Sequence, residues 1–191
     1  MPFRATASQT VGPFFNFGLT ANKELGRMVR DGALGERIRI TFHVTDGEGA
    51  PTPADSMIEL WQSDANGKYD HPDDTQAAVP DPNFCGFGRL ETDENGTCVF
   101  ETIKPGCVPG PDGSLQAPHI NVTVFARGLL KQLHTRVYFT GDAANETDPV
   151  LALVPEWRRD TLLARRTADQ PDRWRFEIRL QGDRETVFFD L

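Results

Sequence analysis

Alternation of apolar and polar residues recurs along most of this chain, and it limits the possible fold more than any other feature of the sequence. In residues 36–44, ERIRITFHV, every second residue is Ile, Phe or Val, and the residues between them are polar. Successive side chains of a β-strand point to opposite faces, so this pattern predicts a strand with one buried face. The strand is expected to end at DGEG, residues 46–49, which is a turn sequence.

Further segments have the same strand character or the apolar, β-branched composition of a central strand. They are residues 56–62, 86–92, 97–103, 120–126, 134–139, 173–180 and 185–189. Asn95-Gly96 lies between two of them and suits the positive φ angles of a hairpin turn. The sequence therefore predicts an all-β protein, a β-sandwich of about eight mostly antiparallel strands.

Helix signals are confined to one region. In residues 148–166, Asp148 is suited to cap a helix and Pro149 to its first position, which predicts one or two short helices. Residues 1–35 show no clear period, but TVGPFFNFGLT is too apolar for a free tail. We expect residues 1–35 to form an N-terminal arm at a subunit interface, and residues 36–191 to form the sandwich.

Composition and charge exclude several classes of protein. The 191 residues are 38% hydrophobic and 25% charged, with mean hydropathy −0.44, as in a globular domain. The net charge of −8 disfavours nucleic acid as a partner. Without a long apolar run or a signal sequence, we expect no membrane association and a cytoplasmic location. Three cysteines without paired spacing predict buried thiols.

The segment LQAPHINVTVFARG, residues 115–128, places His119 and Asn121 on one face of a predicted strand. Two histidines at this spacing would chelate a metal ion, but an amide is a poor ligand for a transition ion. We therefore interpret His119 as a buried histidine whose hydrogen bonds are satisfied within the chain.

Several segments, taken together, resemble one known family. They are SQTVGPFF (8–15), IELWQSDANGKYD (58–70), residues 81–106, APHINVTVFARG (117–128), RVYFTGD (136–142) and RFEIRLQGDRETVFFD (175–190). In this order they are similar to the intradiol aromatic-ring dioxygenases. The resemblance implies a β-sandwich and a ferric ion held by two tyrosinates and two histidines, with an open position for a catechol.

The resemblance also implies that this chain lacks the metal ligands. His119 matches one ligand histidine, but Asn121 stands at the other, and Val108 stands where a ligand tyrosine is expected. The second ligand tyrosine would fall within residues 75–79, TQAAV, and an arginine of the catalytic subunit is Gln116 here. We therefore expect no metal and no catalytic residue in this chain, with Fe(III) held by a partner β subunit.

By the same resemblance, this chain is the non-catalytic subunit of an obligate hetero-oligomer of α/β pairs that acts on a catechol acid and O2. Thr10, Gly12 and Pro13 would line the substrate pocket of the partner, and Arg127 would lie close to the bound aromatic acid. Three alternatives stay open. They are a related enzyme for another anionic catechol such as 4-sulfocatechol, a self-sufficient dioxygenase with an atypical iron site, and a transthyretin-like binding module without catalysis.

Overall fold

The computed structural model describes residues 7–47, 50, 56–110 and 113–190. Its helices are α1 Pro13–Thr20 and α2 Glu156–Arg159, with short 3-10 turns at Lys23–Gly26, Ala143–Thr147, Leu151–Leu153 and Asp160–Leu162. The strands are β1 Arg37–Thr45, β2 Met57–Trp61, β3 Phe87–Glu91, β4 Thr97–Ile103, β5 Val108–Pro109, β6 Leu115–Gln116, β7 His119–Phe125, β8 Leu133–Phe139, β9 Leu163–Thr167 and β10 Gln170–Arg179.

Eight of these strands form one mixed sheet in the order β3-β2-β7-β8-β9-β10-β1-β4. The sheet folds on itself, with β9 joining its two halves into a near-closed sandwich. β1 pairs with β10, and β8 with β9, in parallel. The other described pairings, including the small β5–β6 hairpin, are antiparallel. The predicted all-β class is confirmed.

The core lies between the two halves of this sheet and is built from alternate residues of the strands. The apolar residues predicted to face inward from β1 are at most 2% exposed. Phe42 lies at the centre, with its ring edge-on to Phe100 at 5.7 Å and to Phe176 at 5.8 Å between centroids. Aromatic pairs in this arrangement add to the stabilisation that burial provides.

Two segments differ from the sequence prediction. Residues 163–166, the end of the region predicted to be helical, belong to β9, because the backbone of this strand pairs with β8 and β10. Residues 185–189, predicted as a strand, make only one bridge, between Phe189 and His134. The helix prediction is confirmed for the preceding residues, which hold α2 and two 3-10 turns.

The described part of the N-terminal segment packs on the sheet. Met28 and Val29 are buried in the core. Phe15 of α1 contacts Phe125 at the end of β7, with 5.5 Å between the ring centroids. Helix α1 was not expected from the periodicity, although Pro13 at its start suits the first turn of a helix. Residues 1–6 of the predicted arm lie outside the described residues.

Two other expectations concern membranes and thiols. Within the described ranges, no helix is both long and apolar enough to cross a bilayer. Cys98 is buried, Cys107 is half-buried and Cys85 is exposed. The prediction of three buried thiols is therefore wrong for Cys85.

A metal-free remnant and an exposed arm

The register of β7 and β8 determines which side chains can meet on the outer face of the sheet. His119 lies opposite Tyr138, and Asn121 lies opposite Arg136. Directly opposed residues of an antiparallel pair are close neighbours. The prediction that His119 and Asn121 share one face is therefore confirmed, and the structure adds two side chains from β8.

His119 is a buried, neutral histidine. It is 1% exposed, and its Nδ1 lies 2.7 Å from the carbonyl oxygen of Ala117. Burial and the nearby charge of Arg136 lower the pKa of His119 to about 4, although the Ala117 carbonyl and Asp148 act in the opposite direction. The interpretation of His119 as a satisfied core histidine is confirmed.

Tyr69 reaches this face from the loop after β2. Gly67 has a φ of +80°, and a Cβ there would lie 1.9 Å from the carbonyl oxygen of Cys107, so the turn requires glycine. The turn brings the Tyr69 hydroxyl to 3.4 Å from Nδ2 of Asn121, which donates to it. Burial raises the pKa of Tyr69, so the phenol stays protonated. Sequence reasoning missed this contact, because no local pattern shows where a loop side chain ends.

Arg136 completes the group, and sequence reasoning missed it too. Its guanidinium donates from Nη1 to Oε1 of Gln116 at 2.7 Å. Within the described residues, no carboxylate lies within 4 Å of this guanidinium. We refer to Tyr69, Gln116, His119, Asn121 and Arg136 as the β7–β8 cluster.

Asp148 holds the backbone and the Tyr138 side chain next to His119 in place by hydrogen bonds. Its carboxylate accepts hydrogen bonds from the Tyr138 hydroxyl at 2.9 Å, from the backbone N–H of Ala117 at 2.8 Å and from that of Leu151 at 2.6 Å. Burial and the Asp148 charge raise the pKa of Tyr138. Tyr138 is therefore neutral, and its hydroxyl donates a structural hydrogen bond to Asp148.

An open cavity of about 650 Å³ lies beside the cluster. Its walls include Trp61 and Tyr69, whose rings stack with 5.8 Å between centroids. Thr75, Gln76 and Val108 also line it. Residues 75–79 and Val108 are where the family resemblance implies ligand tyrosines, and none of these residues carries a phenol.

The donor set does not fit ferric iron. Fe(III) favours anionic oxygen ligands. The cluster offers one imidazole with its Nδ1 already engaged, an amide and a protonated phenol. In the part of the chain that the structure describes, no three His, Cys, Asp or Glu side chains are grouped to hold a metal. Among the residues that the structure describes, the side chains therefore do not form the iron site that the family resemblance implies.

The residues predicted to serve a partner lie at one end of β7. Thr10 Oγ1 accepts a hydrogen bond from the backbone N–H of Gly128 at 2.7 Å, which places the arm beside Arg127. Gly12 precedes α1, and Pro13 is the first residue of that helix. Gly12 and Arg127 are both exposed. The structure thus brings the arm and Arg127 together, while their role stays a prediction.

Comparisons with known proteins agree with this architecture. A protein-family model described as Dioxygenase matches residues 10–182. The alpha chain of protocatechuate 3,4-dioxygenase from Pseudomonas putida is 42% identical, covering 97% of this chain and 96% of the relative. The alpha chain from Burkholderia cepacia is 43% identical, covering 98% of each. The beta chain from Burkholderia cepacia is 38% identical, covering 78% of this chain and 66% of the relative.

Solved structures show the same fold at lower identity. The 3-chlorocatechol 1,2-dioxygenase of Rhodococcus opacus 1CP superposes with a TM-score of 0.64 at 23% identity, covering 92% of this chain and 72% of that one. A dioxygenase domain from Streptomyces sp. SirexAA-E gives 0.62 at 24% identity, covering 85% and 88%.

The sandwich and the family match define the class: this chain belongs to the intradiol dioxygenase family. Within that class, this chain is similar over nearly its whole length to alpha chains of protocatechuate 3,4-dioxygenase. The expected family is therefore confirmed.

Proposed function

We propose that this chain is the non-catalytic alpha subunit of a heteromeric protocatechuate 3,4-dioxygenase. One combination of observations carries this proposal: a full-length likeness to alpha chains and a donor set that does not fit iron. The beta chain of Burkholderia cepacia, which is also similar to this chain, represents the kind of partner required. In the assembly, Fe(III) would belong to that partner.

The reaction opens the aromatic ring of protocatechuate between its two hydroxyl-bearing carbons. Both atoms of O2 enter the product, 3-carboxy-cis,cis-muconate. Ferric iron on the partner would chelate the catechol and make its ring reactive toward O2. This chain would contribute by orienting the substrate and excluding water from it.

The arm is suited to form a wall of the partner's pocket. A Cβ at Gly12 would meet no atom of the described residues within 4 Å, apart from the two chain neighbours of Gly12, so their packing does not require glycine there. The close approach of a flat substrate ring, or of a partner subunit, would explain why this position is a glycine. The adjoining Phe14 is 91% exposed and Phe17 68% exposed, as expected for residues that a partner covers.

Arg127 is the proposed contact for the substrate carboxylate. A chain with a net charge of −8 repels anions on average, so a local guanidinium has to attract the aromatic acid. The side chain is exposed at the end of β7, beside the arm that carries Thr10 and Gly12. A sulfonated catechol presents the same charge, so this residue would serve either substrate.

The test is steady-state kinetics of the co-expressed assembly carrying Arg127→Ala. We expect KM for protocatechuate to rise about tenfold, as when one charge-assisted contact is lost, with kcat and iron content nearly unchanged. Arg173→Ala is the matched control, because Arg173 is an exposed arginine on β10. An unchanged KM for Arg127→Ala, or an equal rise for Arg173→Ala, would remove the proposed role.

Assembly and iron analysis test the wider proposal. Co-purification with the beta chain and iron in the partner alone are the expected results. A chain that binds stoichiometric iron by itself would support the self-sufficient dioxygenase instead. A stable homo-oligomer that binds no beta chain would support the binding module.

A further inference from the structure

A cavity separate from the β7–β8 cluster lies on the outer face of β9 and β10 and is rich in arginine. Its volume of about 300 Å³ is at the lower end of the range found for small-molecule sites. The charged side chains that line it are Arg165, Arg175, Arg179, Arg184, Asp160 and Glu177. Four positive and two negative groups give this arginine cavity a net charge of +2, in a chain whose net charge is −8. The cavity therefore attracts anions, although the chain as a whole repels them.

Asp160 neutralises only part of the positive charge. Its carboxylate is shared by two guanidiniums, with Arg165 at 2.5 Å from Oδ1 and Arg184 at 2.8 Å from Oδ2. The two arginine side chains are 64% and 63% exposed, and ion pairs in such positions are weak. Each guanidinium has five N–H donors, so both keep donors that an incoming anion can reach.

Glu177 is shared in the same way, and Arg179 has no acidic partner. The Glu177 carboxylate lies between Arg175 and His43, whose Nδ1 is 2.8 Å from Oε2. Arg179 lines the cavity from the exposed face of β10 and, among the residues that the structure describes, has no carboxylate within 4 Å of its guanidinium. Its charge is therefore available to a ligand.

The strand register places two of the arginines directly against each other. Arg165 of β9 lies opposite Arg175 of β10 in the antiparallel pair. Like charges in this position destabilise a sheet. An anion between the two guanidiniums would relieve the repulsion, and it would accept paired hydrogen bonds from each of them. This cross-strand pair is therefore better explained by a bound anion than by the stability of the fold.

The spacing along β10 favours a ligand with several separated charges. Arg175 and Arg179 are four residues apart on one strand, which corresponds to about 13 Å between their Cα atoms. Glu177 lies between them on the same face, and it would repel a compact anion at that point. A ligand whose carboxylates are spread along its length can meet both arginines and avoid Glu177.

We propose that the arginine cavity is a binding site for a small molecule that carries two or three carboxylates. One carboxylate lies between Arg165 and Arg175, and another is held by Arg179. Arg184 adds charge from the turn after β10. The site is built from this chain alone, so it depends neither on the iron of a partner nor on Arg127.

The test is calorimetric titration of the full chain with tricarballylate, a flexible molecule with three carboxylates. We expect saturable one-to-one binding, in the millimolar range or tighter, that weakens as salt is raised. Acetate has a single carboxylate and should bind at least about tenfold more weakly at the same ionic strength. Phosphate is compact and cannot span the site, so it should also bind at least about tenfold more weakly.

Matched variants locate the site. Arg179→Gln should weaken tricarballylate binding about tenfold without changing the urea midpoint of unfolding, because it breaks no ion pair. Arg173→Gln makes the same charge change on the same strand outside the cavity, and it should weaken binding less than about twofold. Asp160→Asn should strengthen binding about threefold or more, because it removes a repulsive charge and releases two guanidiniums.

The same titrations on the co-expressed assembly show whether the site stays open there. The difference between the wild type and Arg179→Gln should persist. Its disappearance would assign the arginines to a contact between subunits and overturn the proposal. If the chain alone does not stay in solution, this comparison decides the question.

Three further results would overturn the proposal. They are no saturable binding of tricarballylate, phosphate binding as tight as tricarballylate binding, and equal weakening by Arg179→Gln and Arg173→Gln. Such a failure would leave the subunit proposal intact, since that one is tested by kinetics of the assembly.

Discussion

Lowering the pH should destabilise this protein through His119, and the size of the effect can be worked from the structure. The folded-state pKa of His119 is about 4, against an ordinary value of 6.5. Its 1% exposure means that an imidazolium at this position would be buried. Between pH 6.5 and about 4, the imidazole of His119 is therefore protonated in the unfolded chain and neutral in the folded chain.

The sign follows from this difference in proton binding. A base whose pKa is lower in the folded state contributes full stability above its unfolded pKa. That contribution is lost as the pH falls from 6.5 towards 4. One pKa unit corresponds to about 1.4 kcal/mol, so the shift amounts to about 3 kcal/mol of unfolding free energy.

The assay is urea unfolding of the wild type and of His119→Gln at several pH values between 7 and 4.5. Glutamine has no titrating group, and it can still donate to the Ala117 carbonyl. We expect the stability advantage of the wild type to shrink as the pH falls, by an amount approaching about 3 kcal/mol. Parallel pH profiles for the two proteins would refute the account of His119 as a buried neutral imidazole.

Two further changes test the packing and the proposed interface. Tyr138→Phe removes the 2.9 Å hydrogen bond to Asp148 and should cost about 1.5–3 kcal/mol of unfolding free energy by urea titration; a cost near zero would show that the bond contributes nothing. The double change Phe14→Ser and Phe17→Ser removes exposed side chains, so the stability of the chain should stay within about 0.5 kcal/mol. Its affinity for the beta chain should fall about tenfold or more by surface plasmon resonance, and full affinity would exclude α1 from the interface.

The strands could be predicted because their signal is local. Over residues 37–44 of β1, the apolar residues are buried and the polar residues between them are exposed or half-buried. The same periodicity placed His119 and Asn121 on one face. By contrast, residues 163–167 carry no such signal, and they become a strand only because β8 and β10 lie on either side of them.

The lack of ligand residues was predicted from the family resemblance, because a phenol or imidazole that the sequence does not encode cannot be supplied by folding. Val108 and Asn121 stand at two positions where the resemblance implies ligands. Tertiary structure alone decided which contacts replace the ligands. Arg136 meets Gln116, and Tyr69 meets Asn121, through strand register and a turn at Gly67. Such contacts join residues far apart in the chain, so no local pattern encodes them.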